Sequence, residues 1–275
     1  RLKLIKKYYG QNYFKKKKIL DVGGGINPIL NGKNIYIVDF KIQKKIKKIF
    51  KKKVFEIDIE TKSINTKFDI IFLMHTLEHF KYPAKALKNI RKSLKEKGRL
   101  FLEIPNFEFY TKKNAFYGIF HQHLSLFTMK HLVNFLNLSE MQVEKIFFKK
   151  DAIFCSIRKK ENKQSVIKYI DNIKLINQFK KNYKKTSDRI SNFLKNNVFD
   201  IYGAGGSMVL ALASKNKKKQ NINNVFDNDP VKWNKLLPGT KKIIQSNKKK
   251  ILKNNIFSLS TYNLKKKNNL NIHKL

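Results

Sequence analysis

The stretch Ile19-Leu20-Asp21-Val22-Gly23-Gly24-Gly25 determines the fold of the first half of the chain. It reads as an apolar strand that carries an acid near its end and runs directly into three glycines. A second apolar run, Ile35-Tyr36-Ile37-Val38, ends at Asp39. Glycine permits a sharp turn and a close approach of ligand to backbone, and an acid after the second strand can accept hydrogen bonds from both ribose hydroxyls. The pattern predicts a site for a nucleotide or nucleoside cofactor.

Strands and helices alternate through this part of the chain. A helix begins at Pro83, with Gly98 as its predicted end. Because strands alternate with helices, we expect an α/β fold with a doubly wound parallel sheet and ligands at the carboxyl ends of its strands. The predicted strands cover 18–22, 35–39, 54–57, 68–73 and 100–104, and the apolar stripe of the helix is Ala84, Leu87, Ile90 and Leu94.

A second strand and glycine turn occur in the last third of the chain. An apolar run at 198–202 is followed by Gly203-Ala204-Gly205-Gly206, and a further strand at 222–226 ends at Asp227. Helical spacing of apolar residues before this unit predicts a long connecting helix. We therefore predict a cofactor-binding domain at 1–160, a connecting helix at 161–196 and a smaller Rossmann-like domain at 197–275.

Composition limits the class of protein. A hydrophobic content of 41% with 22 phenylalanines in 275 residues indicates a globular protein of one or two domains. The single cysteine, Cys155, excludes an internal disulfide and a cysteine-based zinc site, which fits a reducing cytoplasm, and we expect it in the core. A transmembrane helix needs about 18 or more apolar residues in a row, and we expect none here and no membrane partner.

The net charge of +42 is typical of proteins that bind nucleic acids. Lysine dominates this charge, in short runs beside many asparagines and isoleucines, as expected from an AT-rich coding bias. Arginine, which makes bidentate contacts to phosphate and guanine, is scarce. We therefore expect solvated lysines, no specific nucleic-acid partner, and a nonspecific, salt-sensitive attraction to polyanions.

The residues around the first glycine turn narrow the choice of cofactor. A dinucleotide site would have a third glycine at the position of Pro28, and Asp21 would repel a pyrophosphate. An acid before the turn suits a cationic ligand, and S-adenosylmethionine carries an ammonium and a sulfonium group. We predict that Asp39 binds its ribose and Asp58 its adenine amino group. The predicted cofactor residues are Asp21, Gly23, Gly25, Asp39, Asp58 and His75.

These motifs, with Phe68-Asp69-Ile70-Ile71 and His75-Thr76-Leu77-Glu78-His79, resemble those of class I S-adenosylmethionine-dependent methyltransferases. Two more stretches resemble sugar C-methyltransferases. Phe120-His121-Gln122-His123-Leu124-Ser125 is similar to their His-Glu-His-Leu-Ser segment. The Gly203 turn, with Asp227-Asn228-Asp229-Pro230 and Leu237-Pro238-Gly239-Thr240, is similar to their C-terminal domain. The resemblance covers about residues 15–270 and lacks that family's N-terminal zinc domain.

The resemblance implies methylation of a carbon beside the ketone of a nucleotide-linked sugar. His123 matches the proposed base of the family, and His121 precedes it by two residues. A histidine can remove the acidic proton beside a ketone, after which the enolate attacks the sulfonium methyl group. Substrate contacts are expected in the cleft between the two domains, and no metal is expected. The predicted substrate-binding residues are Gly203, Gly205, Gly206 and Asp227.

Three departures from the family pattern leave alternatives open. Gln122 replaces a glutamate, Phe120 replaces a tyrosine, and residues 149–153 replace a glycine-rich segment. One alternative is methyl transfer to an oxygen or nitrogen atom of another small molecule or glycan, which depends less on a strong catalytic base. Another is a non-catalytic module that binds S-adenosylmethionine or a nucleotide. A nucleic-acid methyltransferase is disfavoured, since His75-Thr76-Leu77-Glu78 stands where an Asn/Asp-Pro-Pro-aromatic run would be expected. The acceptor atom and the oligomeric state are left open.

Overall fold

The computed structural model describes residues 1–113, 122–160, 172–196, 198–205, 208–209, 212, 221–246, 256–258 and 272–273. His121 and Gly206, two of the predicted site residues, lie outside the described residues. The chain divides into two compact units. The first unit consists of Arg1–Tyr110 and His121–Asn172, and the second of Thr111–Phe120 and Ile173–Leu275. The predicted domain limits at 160 and 196 stay a prediction.

The first unit is built on a seven-stranded sheet with the order β3-β2-β1-β4-β5-β7-β6. The five strands from β1 to β5 run parallel, as predicted for an α/β fold. The strands are β1 Ile19–Val22, β2 Ile35–Asp39, β3 Val54–Glu56, β4 Phe68–Met74, β5 Leu94–Pro105, β6 Met141–Lys149 and β7 Ala152–Lys159. The helices are α1 Leu2–Tyr9, α2 Lys44–Phe50, α3 Pro83–Ser93, α4 Phe107–Lys112 and α5 Met129–Leu138.

Apolar residues cover both faces of the central strands. In β4, Ile71 and Leu73 belong to one buried cluster, whereas Ile70 and Phe72 belong to another. Successive side chains of a strand point to opposite faces, so a strand between two layers of helices has to be apolar at nearly every position. The continuous apolar run of the sequence therefore indicates a central strand correctly. Cys155 is buried in β7, which confirms its predicted place in the core.

Two details of the predicted elements are wrong. The sheet is mixed, because β7 pairs antiparallel with both β5 and β6. The helix α3 ends at Ser93, and Gly98 lies inside β5 instead of ending the helix. Leu94 already pairs with Phe68 of β4, and residues 95–98 bulge before the pairing resumes at Arg99. In α3, Ala86 is buried with Leu87 and Ile90, and Ala84 is exposed.

The second unit contains a five-stranded sheet in the order β10-β9-β8-β11-β12. All four pairings are parallel. Its strands are β8 Phe199–Tyr202, β9 Ile222–Asp227, β10 Ile244–Ser246, β11 Ile256–Phe257 and β12 Ile272–His273, and the helix α6 spans Ile173–Asn196. The second predicted strand–turn motif therefore begins at the carboxyl end of a parallel strand. Within the described part of the chain, no helix combines the length and apolar character that a membrane span needs.

Candidate active site

A pocket of about 700 Å³ lies at the carboxyl ends of β1, β2 and β4. This is the edge of a parallel sheet where ligands of doubly wound folds bind. Its polar walls are formed by Asp39, Asp58, Glu60, His75, Thr76, His79 and Gln122. Its apolar walls are formed by Val22, Ile26, Val38, Phe40, Ile57, Ile59, Phe80 and Leu124, and Gly23 completes the lining. Four of the predicted cofactor residues, Gly23, Asp39, Asp58 and His75, are therefore together in one pocket.

The glycine turn after β1 has no room for side chains. Gly23 has a φ of +86°, and a Cβ there would lie 2.5 Å from Oγ1 of Thr76. A Cβ on Gly25 would lie 2.6 Å from the carbonyl oxygen of Lys41 and 2.7 Å from Oδ2 of Asp39. These distances are too short for real contacts, so the turn requires glycine at both positions. The sequence argument for a tight turn with close backbone approach therefore holds at these two residues.

The two acids on the pocket wall differ in their surroundings. Oδ2 of Asp39 accepts a hydrogen bond from the Gly25 amide at 3.0 Å, and its Oδ1 accepts one from the Lys41 amide at 3.3 Å. Asp39 is half-buried, and an ionised carboxylate has lone pairs for further donors. Asp58 is exposed, and its Oδ1 accepts from the amide of Glu60 at 2.8 Å. Both side chains have the acceptor chemistry that hydroxyl or amino groups of a ligand require.

Asp21 lies beneath the glycine turn rather than on the pocket wall. Its side chain is only 3% exposed, and Oδ2 accepts a hydrogen bond from the amide of Ile29 at 2.7 Å. A Cβ on Gly24 would lie 2.6 Å from the same oxygen. Burial, with a smaller effect of the nearby Asp39, raises the pKa of Asp21 to about 7. In this structure Asp21 therefore holds the segment that follows the turn.

An ionic network joins the wall of the pocket to the interior of the sheet. Nε2 of His75 lies 3.1 Å from Oε1 of Glu103, and its Nδ1 lies 3.3 Å from Oε1 of Glu78. Glu103 first and Glu78 second raise the pKa of His75 to about 9. Burial opposes ionisation of Glu103, but hydrogen bonds from Arg1 and His75 lower its pKa to about 2. His75 therefore carries a positive charge at neutral pH.

Glu103 is a residue of this network that was not predicted from the sequence. One signal was present, since Glu103 is the single charged residue in the apolar run Leu100–Ile104. Its side chain is 1% exposed. Charged residues are rarely buried unless they are paired, so an acid inside an apolar strand predicts a partner.

A histidine pair, His79 and His123, lies beside the pocket, with ring centroids 5.0 Å apart. Nδ1 of His79 donates to the carbonyl oxygen of Gln122 at 2.8 Å. The backbone carbonyl of Glu78 accepts hydrogen bonds from the amides of Leu124 at 2.8 Å and Ser125 at 3.1 Å. These bonds hold the segment that carries His123 against the turn at Leu77–His79. Because His121 lies outside the described residues, its predicted pairing with His123 stays a prediction.

Three of the four predicted substrate residues, Gly203, Gly205 and Asp227, lie at the turn after β8. Gly203 has a φ of +93°, and added Cβ atoms at Gly203 and Gly205 would meet no atom within 4 Å among the described residues. Asp227 accepts from the amide of Ala204 at 2.7 Å and from Nζ of Lys232 at 3.0 Å. Burial opposes ionisation of Asp227, yet these donors and a further backbone amide keep its pKa below the usual value. No described residue fills the space beside this turn, and Asp227 is held by hydrogen bonds from nearby residues.

Comparison with known proteins identifies the first unit. The family model described as "Methyltransferase domain" matches residues 2–145, from α1 into β6, which is more than half of the chain. The chain belongs to this methyltransferase family. It is an enzyme whose cofactor is S-adenosylmethionine. A search among curated proteins finds no matching sequence.

Solved structures similar to this methyltransferase share little sequence with it. An S-adenosylmethionine-dependent methyltransferase from Clostridium acetobutylicum is 12% identical, with a TM-score of 0.45, over 58% of this chain and 90% of that one. Magnesium protoporphyrin IX methyltransferase from Synechocystis, solved with S-adenosylhomocysteine, is 10% identical, with a TM-score of 0.43, over 57% of this chain and 81% of that one.

The pocket of this methyltransferase fits its cofactor. The turn at Gly23 and Gly25 leaves the backbone bare where added Cβ atoms would clash. Asp39 offers a carboxylate at the tip of β2 for a pair of ribose hydroxyls, and Ile57, Ile59 and Phe80 are apolar residues of the lining that suit a flat aromatic base. The residues that would hold the cofactor are therefore Gly23, Gly25 and Asp39, with Asp58 on the same wall.

Proposed function

We propose that this methyltransferase acts on a small, oxygen-rich molecule, a sugar or a nucleotide-linked keto sugar, and methylates the carbon beside its ketone. The observation that supports the proposal is the histidine pair at the edge of the cofactor pocket, of which His79 forms part of the wall. When bound, S-adenosylmethionine supplies an electrophilic methyl group on its sulfonium. The task left to the protein is to take a proton from the acceptor and to exclude water.

Histidine is suited to this task because its pKa lies near neutral pH. His123 stands at the position of the base in the resembling family, and we assign it the proton from the carbon beside the ketone. His79 donates through Nδ1 to the Gln122 carbonyl, which places the lone pair of the neutral ring on Nε2. The backbone bonds from Leu124 and Ser125 to Glu78 keep both rings in place before the acceptor binds.

We further propose that the second unit holds the nucleotide part of the acceptor. No atom of the described residues lies within 4 Å of a Cβ added at Gly203 or Gly205, which supports this assignment, since bare backbone amides at a strand end can approach a phosphate closely. Lys232, 3.0 Å from Asp227, adds a positive charge to this turn. We assign Gly206 and Asp227 to the same site, and we propose a cytoplasmic location, where nucleotide sugars are made.

Transfer to a hydroxyl oxygen is the second candidate function. The observation in its favour is that His79, and not His123, belongs to the residues that line the pocket. His79 can take the proton of a hydroxyl group, and this transfer needs no further group to stabilise an enolate. Gln122 and Phe120, which replace the glutamate and the tyrosine of the C-methyltransferase segment, agree with this reading.

Incubation with a panel of keto and hydroxyl nucleotide sugars tests the proposal. With S-adenosylmethionine and a dTDP-4-keto sugar, we expect a new carbon-bound methyl group in the product by NMR. Without S-adenosylmethionine, we expect exchange of the proton beside the ketone with deuterium from solvent, and its loss in His123→Asn. A methyl group on oxygen would replace the first candidate by the second. Binding of S-adenosylhomocysteine without transfer to any member of the panel would reject a sugar acceptor.

A further inference from the structure

Glu78 is a buried acid that the cofactor site does not account for. Its side chain is 1% exposed, and neither carboxylate oxygen has a hydrogen-bond partner among the described residues. His75 approaches one oxygen, at 3.3 Å, with an alignment that forms an ion pair but no hydrogen bond. A buried carboxylate whose oxygens lack hydrogen bonds is costly, so its presence calls for an explanation.

Besides His75, the histidine pair lies close to Glu78. A carboxylate oxygen of Glu78 and one ring nitrogen each of His79 and His123 all lie within 4.8 Å of one another. The pair takes up a positive charge when one ring accepts a proton. In a site of low dielectric, an anion at this distance stabilises the protonated ring far more than it would in water.

We propose that Glu78 is the positioning residue of the histidine pair: its carboxylate orients the rings and stabilises the imidazolium that forms when the acceptor loses its proton. Glu78 would thereby take the place of the glutamate that Gln122 replaces between the two histidines of the resembling family. The proposal rests on the proposed function for one point, namely that the proton taken up by the histidine pair comes from the acceptor. The effect of the carboxylate on the two rings is a property of the protein without substrate.

A divalent cation bound by Glu78, His79 and His123 is the competing interpretation of this cluster. The charges of His75 and Glu103 argue against it. His75 is positively charged at neutral pH and lies 3.3 Å from Oε1 of Glu78. The negative charge of Glu103 does not cancel the positive charge of His75, because Glu103 also pairs with Arg1. His75 repels an imidazolium as well, but a divalent ion carries twice that charge and would have only the single carboxylate of Glu78 to offset it.

Titration of the histidine ring protons by NMR tests the proposal without any substrate. In the full chain, prepared with a chelator, we expect the midpoint of His123 or His79 to fall by about one pH unit or more in Glu78→Gln, a tenfold loss of proton affinity. Glu103→Gln is the matched control, because it removes a carboxylate that faces His75 and should shift His75 alone. His131, on α5, is an internal reference that neither change should move.

Glu78→Asp keeps the test decisive if Glu78→Gln does not fold, since it retains the charge and withdraws it by one methylene. A shift of the same sign and smaller size is then expected. Midpoints of His79 and His123 that stay within 0.2 units (about 0.3 kcal/mol) in both variants would overturn the proposal. Stoichiometric binding of zinc chloride by the native chain and not by Glu78→Gln would overturn it in favour of a cation site.

The outcome is independent of the sugar assignment. A shifted midpoint together with no transfer to any nucleotide sugar would support the role of Glu78 and reject the proposed acceptor. An unshifted midpoint together with carbon methylation would reject the role of Glu78 and support the proposed acceptor. With an acceptor in hand, Glu78→Gln should lower kcat at least tenfold with little change in KM, because the carboxylate acts on the proton transfer and not on binding.

Discussion

The amide of Gly25 donates to Oδ2 of Asp39 at 3.0 Å, which ties the glycine turn after β1 to the acid at the end of β2. Two segments that are separate in the sequence thereby form one wall of the cofactor pocket. The bond orients the carboxylate and leaves further lone pairs for a ligand. A change at either residue should therefore affect cofactor binding more than it affects the stability of the sheet.

Asp39→Asn should weaken the binding of S-adenosylhomocysteine about tenfold or more, because hydrogen bonds to a charged group contribute about 1.5–3 kcal/mol each and asparagine offers one neutral acceptor. Calorimetric titration measures the change. Asp69→Asn is the matched control, since Asp69 accepts from Lys95 near the start of β4, at the opposite end of that strand from the pocket. Equal affinities of native chain and Asp39→Asn would show that the ribose site is misplaced.

Gly25→Ala should abolish measurable binding of S-adenosylhomocysteine, because its Cβ would lie 2.6 Å from a backbone carbonyl that has little freedom to move. Gly205→Ala, in the second glycine turn, introduces the same methyl group where no atom lies within 4 Å in the described part of the chain. Its affinity for S-adenosylhomocysteine should equal that of the native chain. Calorimetry on both variants, with circular dichroism as a check of folding, compares the two turns directly. Native affinity in Gly25→Ala would contradict the crowding of the first turn.

The position of these residues could be predicted from the sequence because the information is local. The motif consists of a strand, three glycines and an acid after the next strand. It defines the turn and the edge of the sheet at which the turn lies, whatever the rest of the chain packs against. The direction in which a side chain points is determined less by the adjacent sequence. Asp21 was expected to face the cofactor, but it is buried beneath the turn, where it accepts from Ile29. Whether a strand residue points toward the pocket or into a packed layer depends on the neighbouring elements.

The features that the sequence did not predict depend on distant partners. The antiparallel pairing of β7 with β5 joins residues that are about fifty positions apart, for which the sequence of β7 carries no local sign. The burial of Glu78 is similar, because an acid in His75-Thr76-Leu77-Glu78-His79 reads as a surface residue until the segment around Leu124 covers it. Element types follow from periodicity, whereas burial of single charges follows from packing.

Asp21 should make the stability of the protein fall as pH rises from about 4 to about 7. Its pKa is raised to about 7 by burial, so the unfolded chain releases this proton first and the folded chain keeps it longer. The folded state therefore bears the cost of the buried charge, up to roughly 4 kcal/mol, in full only above pH 7. Asp21→Asn should unfold at higher urea concentration than the native chain at pH 8, and by a smaller margin at pH 5.

The exposed Asp58 provides the control for that experiment, since Asp58→Asn makes the same change of functional group at a site that is not buried. A second measurement separates the structural role of Asp21 from a contact with the cofactor. If the cofactor ammonium bound this carboxylate, the affinity for S-adenosylhomocysteine would rise with pH through 7 in the native chain and stay flat in Asp21→Asn. Because Asp21 lies beneath the turn, we expect the affinity for S-adenosylhomocysteine to depend on pH in the same way in the native chain and in Asp21→Asn.

Glu144 should contribute to stability at neutral pH and lose that contribution in acid. Arg99 donates to its two oxygens at 2.7 and 2.8 Å, and the Tyr9 hydroxyl donates at 2.6 Å, which joins α1 to β5 and β6. These donors, Arg99 first, lower the pKa of Glu144 below its usual value. A depressed pKa means that the stabilisation is present above the unfolded value and is lost as pH falls through the folded one.

We therefore expect Glu144→Gln to lower the free energy of unfolding by about 1–3 kcal/mol at pH 7, since it removes a bidentate pair and leaves Arg99 with a weaker acceptor. The difference from the native chain should shrink at pH 3. Urea denaturation at the two pH values measures both. Glu56→Gln is the matched control, because Glu56 pairs with Lys47 where the two side chains are 39% and 43% exposed and an ion pair contributes little. A loss of equal size in the two variants would show that the network around Glu144 does not hold α1 to the sheet.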